Sequence, residues 1–238
     1  MGMKTEEKLI VKGKRLDGRK PEDIREMEMK VGVIPNANGS ARVRFGDTIV
    51  VAGVYGARPL FPKHLQESDR AIIKCRYNMA PFSVEDRARP GPSRRSIEIS
   101  KVARLALEPA LFLEEYPETV VDVYMEVLQA DGSTRVTGIN AASLALADAG
   151  VPMKDLVVAL SGGKIDDTII IDLCGKEDNY SLADIPIAFL PRKNEITLLQ
   201  MDGQLMPEEV KGIIKNALKS GQKVYKKQKE TLRRKYKE

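Results

Sequence analysis

The turn Asp131-Gly132-Ser133-Thr134-Arg135 follows a run of valines and opens a stretch of small residues. Its letters suit an anion. Gly132 lets the main chain approach a ligand, Ser133 and Thr134 carry hydroxyls, and Arg135 offers a planar fork that matches phosphate oxygens. Free amides at the start of a following helix add further donors. The same letters also describe a hydroxyl-rich helix cap beside a surface arginine. Neither the GK[ST] spacing of a P-loop nor a GxGxxG is present.

Two further groups can carry chemistry. Asp178 and Asp184 stand six residues apart in KEDNYSLADIP, which reads as a turn between strands. Such carboxylates can hold a divalent cation, Mg²⁺ or Mn²⁺, or pass a proton to a leaving oxygen; Asp and Asn also fill turns for their own backbone bonds. In VEDRARPGPSRRSIE, Arg87, Arg89, Arg94 and Arg95 crowd an irregular segment ahead of a helix, as in clusters that grip phosphate backbones. Arg58, Lys63 and His64 form a smaller basic loop, with Phe61 beside them able to stack on a base. His64 is the only histidine, which excludes chemistry built on a His pair or a His-rich metal site.

Elements must position these groups. GSARVRFGDTIVVAGVYGAR alternates Ala41, Val43 and Phe45 with Arg42 and Arg44 and predicts a hairpin; AIIKCRYNMA predicts a half-buried strand through Ile73, Cys75 and Tyr77. Ile97, Val102, Leu105 and Leu111 mark the apolar stripe of a helix, and VVDVYMEVLQAD predicts a strand with Val121, Val123, Met125 and Val127 on one side. TGINAASLALADAG predicts a helix capped near Gly150. A second strand-rich block runs from Leu156 to about Met201, with SGGKIDDT and CGKEDNYSLAD as turns; a long amphipathic helix then opens at Pro207. Strands and helices do not alternate regularly, so the fold class is α+β, and the two strand-rich blocks hint at an internal duplication.

The 238 residues are enough for a sizeable core without disulfides, and Cys75 and Cys174 stand apart as reduced thiols. No signal peptide or apolar membrane span is read, giving the expectation of a soluble cytoplasmic protein with no membrane partner. The net charge of +5 is concentrated: residues 223–238 carry eight Lys/Arg and two acids, leaving 31 basic against 32 acidic residues elsewhere. A solvated helix face explains such a tail, with RNA or a partner as the alternative. RNA binding by the body must therefore rest on local patches.

Taken with their flanking text, the three groups resemble the RNase PH family of phosphorolytic exoribonucleases. LDGRKPEDIREMEMKVGVI, RYNMAPFSVEDRARPGPSRRSIEISKVARLALEPALF, EVLQADGSTRVTGINAASLALADAGVPM and EDNYSLADIPIAFLPRKNEITLLQMDG carry the likeness, which is greatest to the catalytic ring subunits of archaeal exosomes. The resemblance spans Arg15 to Gly203. It implies an RNase PH-like domain over 15–222, between an N-terminal extension (1–14) and a basic helical tail (223–238). The resemblance implies that this domain is two pseudo-repeated βαβα halves of the ribosomal protein S5 domain 2 type.

The resemblance also implies phosphate as co-substrate, held by Gly132, Thr134 and Arg135, with Ser133 where many members have a second glycine. Asp178 and Asp184 become the paired catalytic acids and the residues expected to hold Mg²⁺, and Arg94 and Arg95 the grip on RNA, to which Arg89, Arg58 and His64 are added as contacts. Expected partners are a single-stranded RNA 3′ end, a non-catalytic paralogous subunit in an alternating hexameric ring, and RNA-binding cap proteins. A homohexameric trimmer of tRNA 3′ ends and a non-catalytic RNA-binding ring subunit remain the alternatives.

Overall fold

The structure is a computed structural model and describes residues 9–10 and 13–237. Most of the N-terminal extension therefore lies outside the described residues. Leu9, however, is buried with Ile165, Ile170 and Leu173, and the Leu9 and Ile10 amides donate to the Asp166 carboxylate at 2.7 and 3.1 Å.

The first five strands are β1 (Met27–Val31), β2 (Gly39–Phe45), β3 (Thr48–Pro59), β4 (Ile72–Met79) and β5 (Thr119–Gln129), in sheet order β1-β2-β3-β5-β4. The β2–β3 hairpin turns at Gly46-Asp47, where Gly46 at φ 55° supplies the left-handed residue that a two-residue loop needs. Alternation buries Ala41, Val43 and Phe45, and Val121, Val123, Met125 and Val127 line the inner side of β5. Only β4 and β5 are parallel, and helix α1 (Arg94–Leu107) makes the crossover between them.

The second sheet holds β6 (Val158–Ile165), β7 (Thr168–Ile171), β8 (Ala183–Leu190), β9 (Glu195–Leu199) and β10 (Asp202–Gly203). Its order is β10-β8-β6-β7, with β9 also on β8. The first half thus runs strands, helix, strand, helix and the second strands, helix, strands, helix, although among the described residues the second sheet has no parallel pair.

Helix α2 (Thr134–Asp148) lies between the sheets, and every residue of it but Arg135 and Ala147 is buried. Ala and Gly let it fit closely, and its polar groups are satisfied. Asn140 pairs with both backbone groups of Ala159, at 2.7 and 3.1 Å, and Ser143 Oγ accepts from Val157 N.

Three expectations need correction. Ile97 and Leu105 are exposed; α1 buries Ile99, Val102, Ala103, Ala106 and Leu107, and Leu111 is buried only after the helix has ended. SGGKI lies inside β6, leaving Asp166-Asp167 as the turn. CGKEDNY is not a turn but a short helix, α3 (Gly175–Tyr180), with Cys174 as N-cap and the Glu177 carboxylate bonded back to the Cys174 amide.

Helix α4 (Pro207–Lys235) runs unbroken through the expected domain boundary at 222. Val224, Tyr225 and Gln228 are buried, and Gln228 Nε2 donates to Asn140 Oδ1 and the Val157 carbonyl, both at 3.1 Å. The basic segment is therefore the second half of a packed helix, with Lys223, Lys226, Arg233 and Arg234 on its exposed side.

Candidate active site

The Asp131–Arg135 turn joins β5 to α2 where the two halves meet. Gly132 and Ser133 adopt φ 69° and 54°, and a Cβ on Gly132 would stand 2.6 Å from the Cys174 carbonyl carbon. Backbone conformation and contact both demand glycine. Gly132→Ala is accordingly expected to lower stability by about 2–4 kcal/mol, read as a fall in the denaturant midpoint.

Ser133 is the N-cap of α2 but makes no side-chain cap. Its hydroxyl turns inward, to the Leu173 carbonyl (2.7 Å) and Ser161 Oγ (2.6 Å). The Thr134 hydroxyl is also buried and accepts from Tyr77 OH at 2.9 Å. Of the side chains expected to hold phosphate, only that of Arg135 faces open space. What remains for an anion is this guanidinium and the uncapped amides of the first helical turn.

Asp178 on α3 and Asp184 on β8 line one cleft of about 470 Å³, together with Arg95, Glu98, Arg135, Gln200 and Asp202. The Asp131 carboxylate accepts from the Gly175 amide at 3.0 Å and so ties the anion turn to the start of the helix carrying Asp178. That helix is fixed from beneath by Arg15, whose Nε donates to Glu177 Oε1 at 2.7 Å and whose Nη1 and Nη2 donate to the Ile171 and Asp172 carbonyls. Burial alone would push the Glu177 carboxyl up; the Arg15 and Cys174 hydrogen bonds outweigh it and hold it low.

The two acids titrate in the opposite sense. Burial raises Asp178 against the opposing charges of Arg95, Arg135 and Arg25. Burial and then the neighbouring Asp178 charge lift Asp184 to about 7, with Arg135 and Arg95 pulling the other way. Asp184 can therefore hold a proton at neutral pH beside a carboxylate. Its Oδ1 is buried without a hydrogen-bond partner, a place for a proton to be given or a cation received.

Among the described residues no three His, Cys, Asp or Glu side chains converge on a metal. Two carboxylates with an orphaned oxygen nevertheless fit Mg²⁺ of the kind completed by substrate phosphates and water.

The arginines divide. Arg95 lines the cleft, whereas Arg94 and Arg89 are exposed outside its lining. Arg58 pairs with Asp122, at 3.0 and 2.5 Å, and lies opposite Val120, nine residues along β5 from Gln129. That is roughly 30 Å of strand, so the structure does not bring Arg58, or exposed His64 in the 3₁₀ turn at 63–65, to the acids.

Sequence reasoning missed Gln200, Glu98 and Asp202. Gln200 Oε1 accepts from Arg135 Nη1 at 2.5 Å, Glu98 stands 3.7 Å from Arg135 Nη2, and Asp202 is the register partner of Asp184. The only sequence signal for Asp202 is its place in LLQMDG, three residues beyond the end of β9 at Leu199.

The RNase PH 3′ exoribonuclease family matches this chain twice, as domain 1 over residues 23–152 and domain 2 over 155–220. The chain belongs to this family, and the cleft lies on the seam between its two domains. It is 61% identical to the exosome complex component Rrp41 of Pyrococcus furiosus over 224 residues, which cover 94% of this chain and 90% of that protein. Identity to the Rrp41 component of Methanopyrus kandleri is 53%, covering 94% of each chain.

Among solved structures, rice Rrp46 superposes with a TM-score of 0.82 at 26% identity, covering 92% of this chain and all of that one. The Archaeoglobus fulgidus exosome with RNA bound to the active site gives 0.79 at 24% identity, covering 90% of this chain and 92% of that one, a likeness of fold. Among the described residues no helix is long and apolar enough to cross a membrane.

Proposed function

We propose that the chain is the catalytic ring subunit of an archaeal exosome and shortens single-stranded RNA from its 3′ end with inorganic phosphate. One observation carries this reading: a single cleft gathers Arg135 at a turn with free amides, Arg95, and an acid that holds its proton near neutrality. The amides at Gly132–Thr134 and the Arg135 fork bind hydrogen phosphate. Arg95, with Arg94 and Arg89 nearer the rim, holds the last phosphates of the RNA.

A phosphate oxygen attacks the terminal phosphorus and the P–O3′ bond breaks. Asp184 gives its proton to the departing 3′-oxygen and regains one from the attacking hydrogen phosphate, so a nucleoside 5′-diphosphate leaves and the shortened chain ends in a hydroxyl. The same residues run the reverse polymerisation. Most of the acceleration comes from placing two anions together and neutralising their charge. In the alternative role for this pair, Asp178 and Asp184 as carboxylates would hold Mg²⁺ in place of the proton, and the ion when bound would supply positive charge beside the reacting phosphates.

A non-catalytic paralogue alternating in a six-membered ring, RNA-binding cap proteins and a cytoplasmic setting complete the proposal. Exposed Arg58 and His64 are left for contacts with RNA remote from the reacting bond.

The test uses end-labelled single-stranded RNA with Mg²⁺, the chain alone and with its paralogue, with and without phosphate. Nucleoside diphosphates are expected only with phosphate, and chiefly from the complex. Monophosphates released without phosphate sink phosphorolysis; full activity of the isolated chain points to the homohexameric trimmer, and no product under any condition to a silent ring subunit.

A further inference from the structure

The anion turn is held from behind by two side chains remote in sequence. Arg25 Nη1 donates to the Asp131 carbonyl at 2.6 Å. Thr48 Oγ1 donates to the Gly132 carbonyl at 2.8 Å and accepts from the Asp131 amide at 3.0 Å. Both are buried, Thr48 completely. Among the described residues only Phe61-Pro62 is a cis peptide, and across a trans peptide the N–H points opposite to the C=O. Drawing these two oxygens into the protein turns the amides of Gly132 and Ser133 the other way. The Ser133 carbonyl is taken in turn by Thr137 N and Oγ1, at 3.1 and 3.0 Å, which gives the Thr134 amide the same sense.

We infer that Arg25 and Thr48 are positioning residues for the phosphate: neither touches it, and together they preset the Gly132 and Ser133 amides toward the cleft. The inference rests on reading the 131–135 turn as the phosphate site. Donors already aimed need no reorganisation when the anion arrives.

Arg25 is suited to this because its fork is fixed at its other side. Nε and Nη2 grip the Asp172 carboxylate at 3.0 and 2.7 Å, and the Arg25 amide donates to the same carboxylate at 2.7 Å. A lysine places one point charge and cannot serve Asp172 and the Asp131 carbonyl with the same planar geometry. Thr48 sits at the first position of β3, where β-branching suits the strand. Valine would keep its shape and lose both bonds.

The experiment uses the ring assembled with its paralogous subunit, carrying the native chain, Thr48→Val, Thr48→Ser or Arg25→Lys. Assembly and Tm are checked first. Thr48→Val is expected to raise the KM for inorganic phosphate about tenfold, with the KM for RNA moved by less than about twofold, and Thr48→Ser to restore the native value. Arg25→Lys is expected to show the same split between the two substrates.

Folded Thr48→Val or Arg25→Lys with native KM for phosphate, or with both KM values raised in proportion, overturns the positioning role. If Thr48→Val fails to assemble, Arg25→Lys decides by the same criterion. RNA degradation by the native ring without phosphate defeats the phosphorolytic reading itself, and this inference with it, before any variant is compared.

Discussion

Asp184→Asn is expected to lower phosphorolysis by on the order of 10³-fold, since it removes the proton donor to the 3′-oxygen while keeping the side chain's shape. The same substitution is expected to make the protein more stable. In the fold the Asp184 carboxyl holds its proton up to about pH 7, whereas in the unfolded chain it ionises near 3.8. As pH rises through that window the unfolded state loses a proton that the native state keeps, so native stability falls. Asparagine never ionises. Without Mg²⁺ or phosphate, the Tm of Asp184→Asn should exceed the native value by about 3–6 °C at pH 8 and match it below about pH 4. Activity within about tenfold of native, or a lower Tm at pH 8, contradicts the role given to this carboxyl.

Arg135→Ala is expected to lower kcat/KM by about 10²- to 10³-fold, with a raised KM for phosphate. Lysine should recover only part of this, because a point charge does not reproduce two parallel donors. A second effect separates loss of binding from general damage. Arg135 opposes the rise of both Asp178 and Asp184, so in its absence both acids keep their protons to higher pH. The alkaline limb of the rate profile should shift upward in Arg135→Ala. An unmoved limb with unchanged KM for phosphate would show that Arg135 serves structure alone.

Where one face of an element is apolar, the sequence was readable. Alternation in β2, β3 and β5 and the unbroken small-residue run of α2 carry their own burial pattern. Helix α1 was read in the wrong phase because its buried face is built partly of Ala103 and Ala106, which speak less loudly than exposed Ile97 and Leu105. Helix α3 was hidden by Gly175, Asp178 and Asn179, weak helix formers, and depends on a Glu177 carboxylate held by Arg15 from 162 residues away.

The site divides in the same way. Arg135, Arg95, Asp178 and Asp184 were legible as chemical letters, and the structure gathers them in one cleft. Ser133 and Thr134 looked like ligand hydroxyls because a sequence does not say which way a hydroxyl points. Arg25 and Thr48 left no local trace, since their partners lie 106 and 84 residues away and are backbone carbonyls with no side-chain identity.

The seam between the halves also orders events during synthesis. A ribosome delivers the anion turn first, while α3, β8 and β10 are still unmade. Until α3 and β8 have emerged and folded onto the first half, Arg135 faces neither acid, and the cleft has only its cationic side.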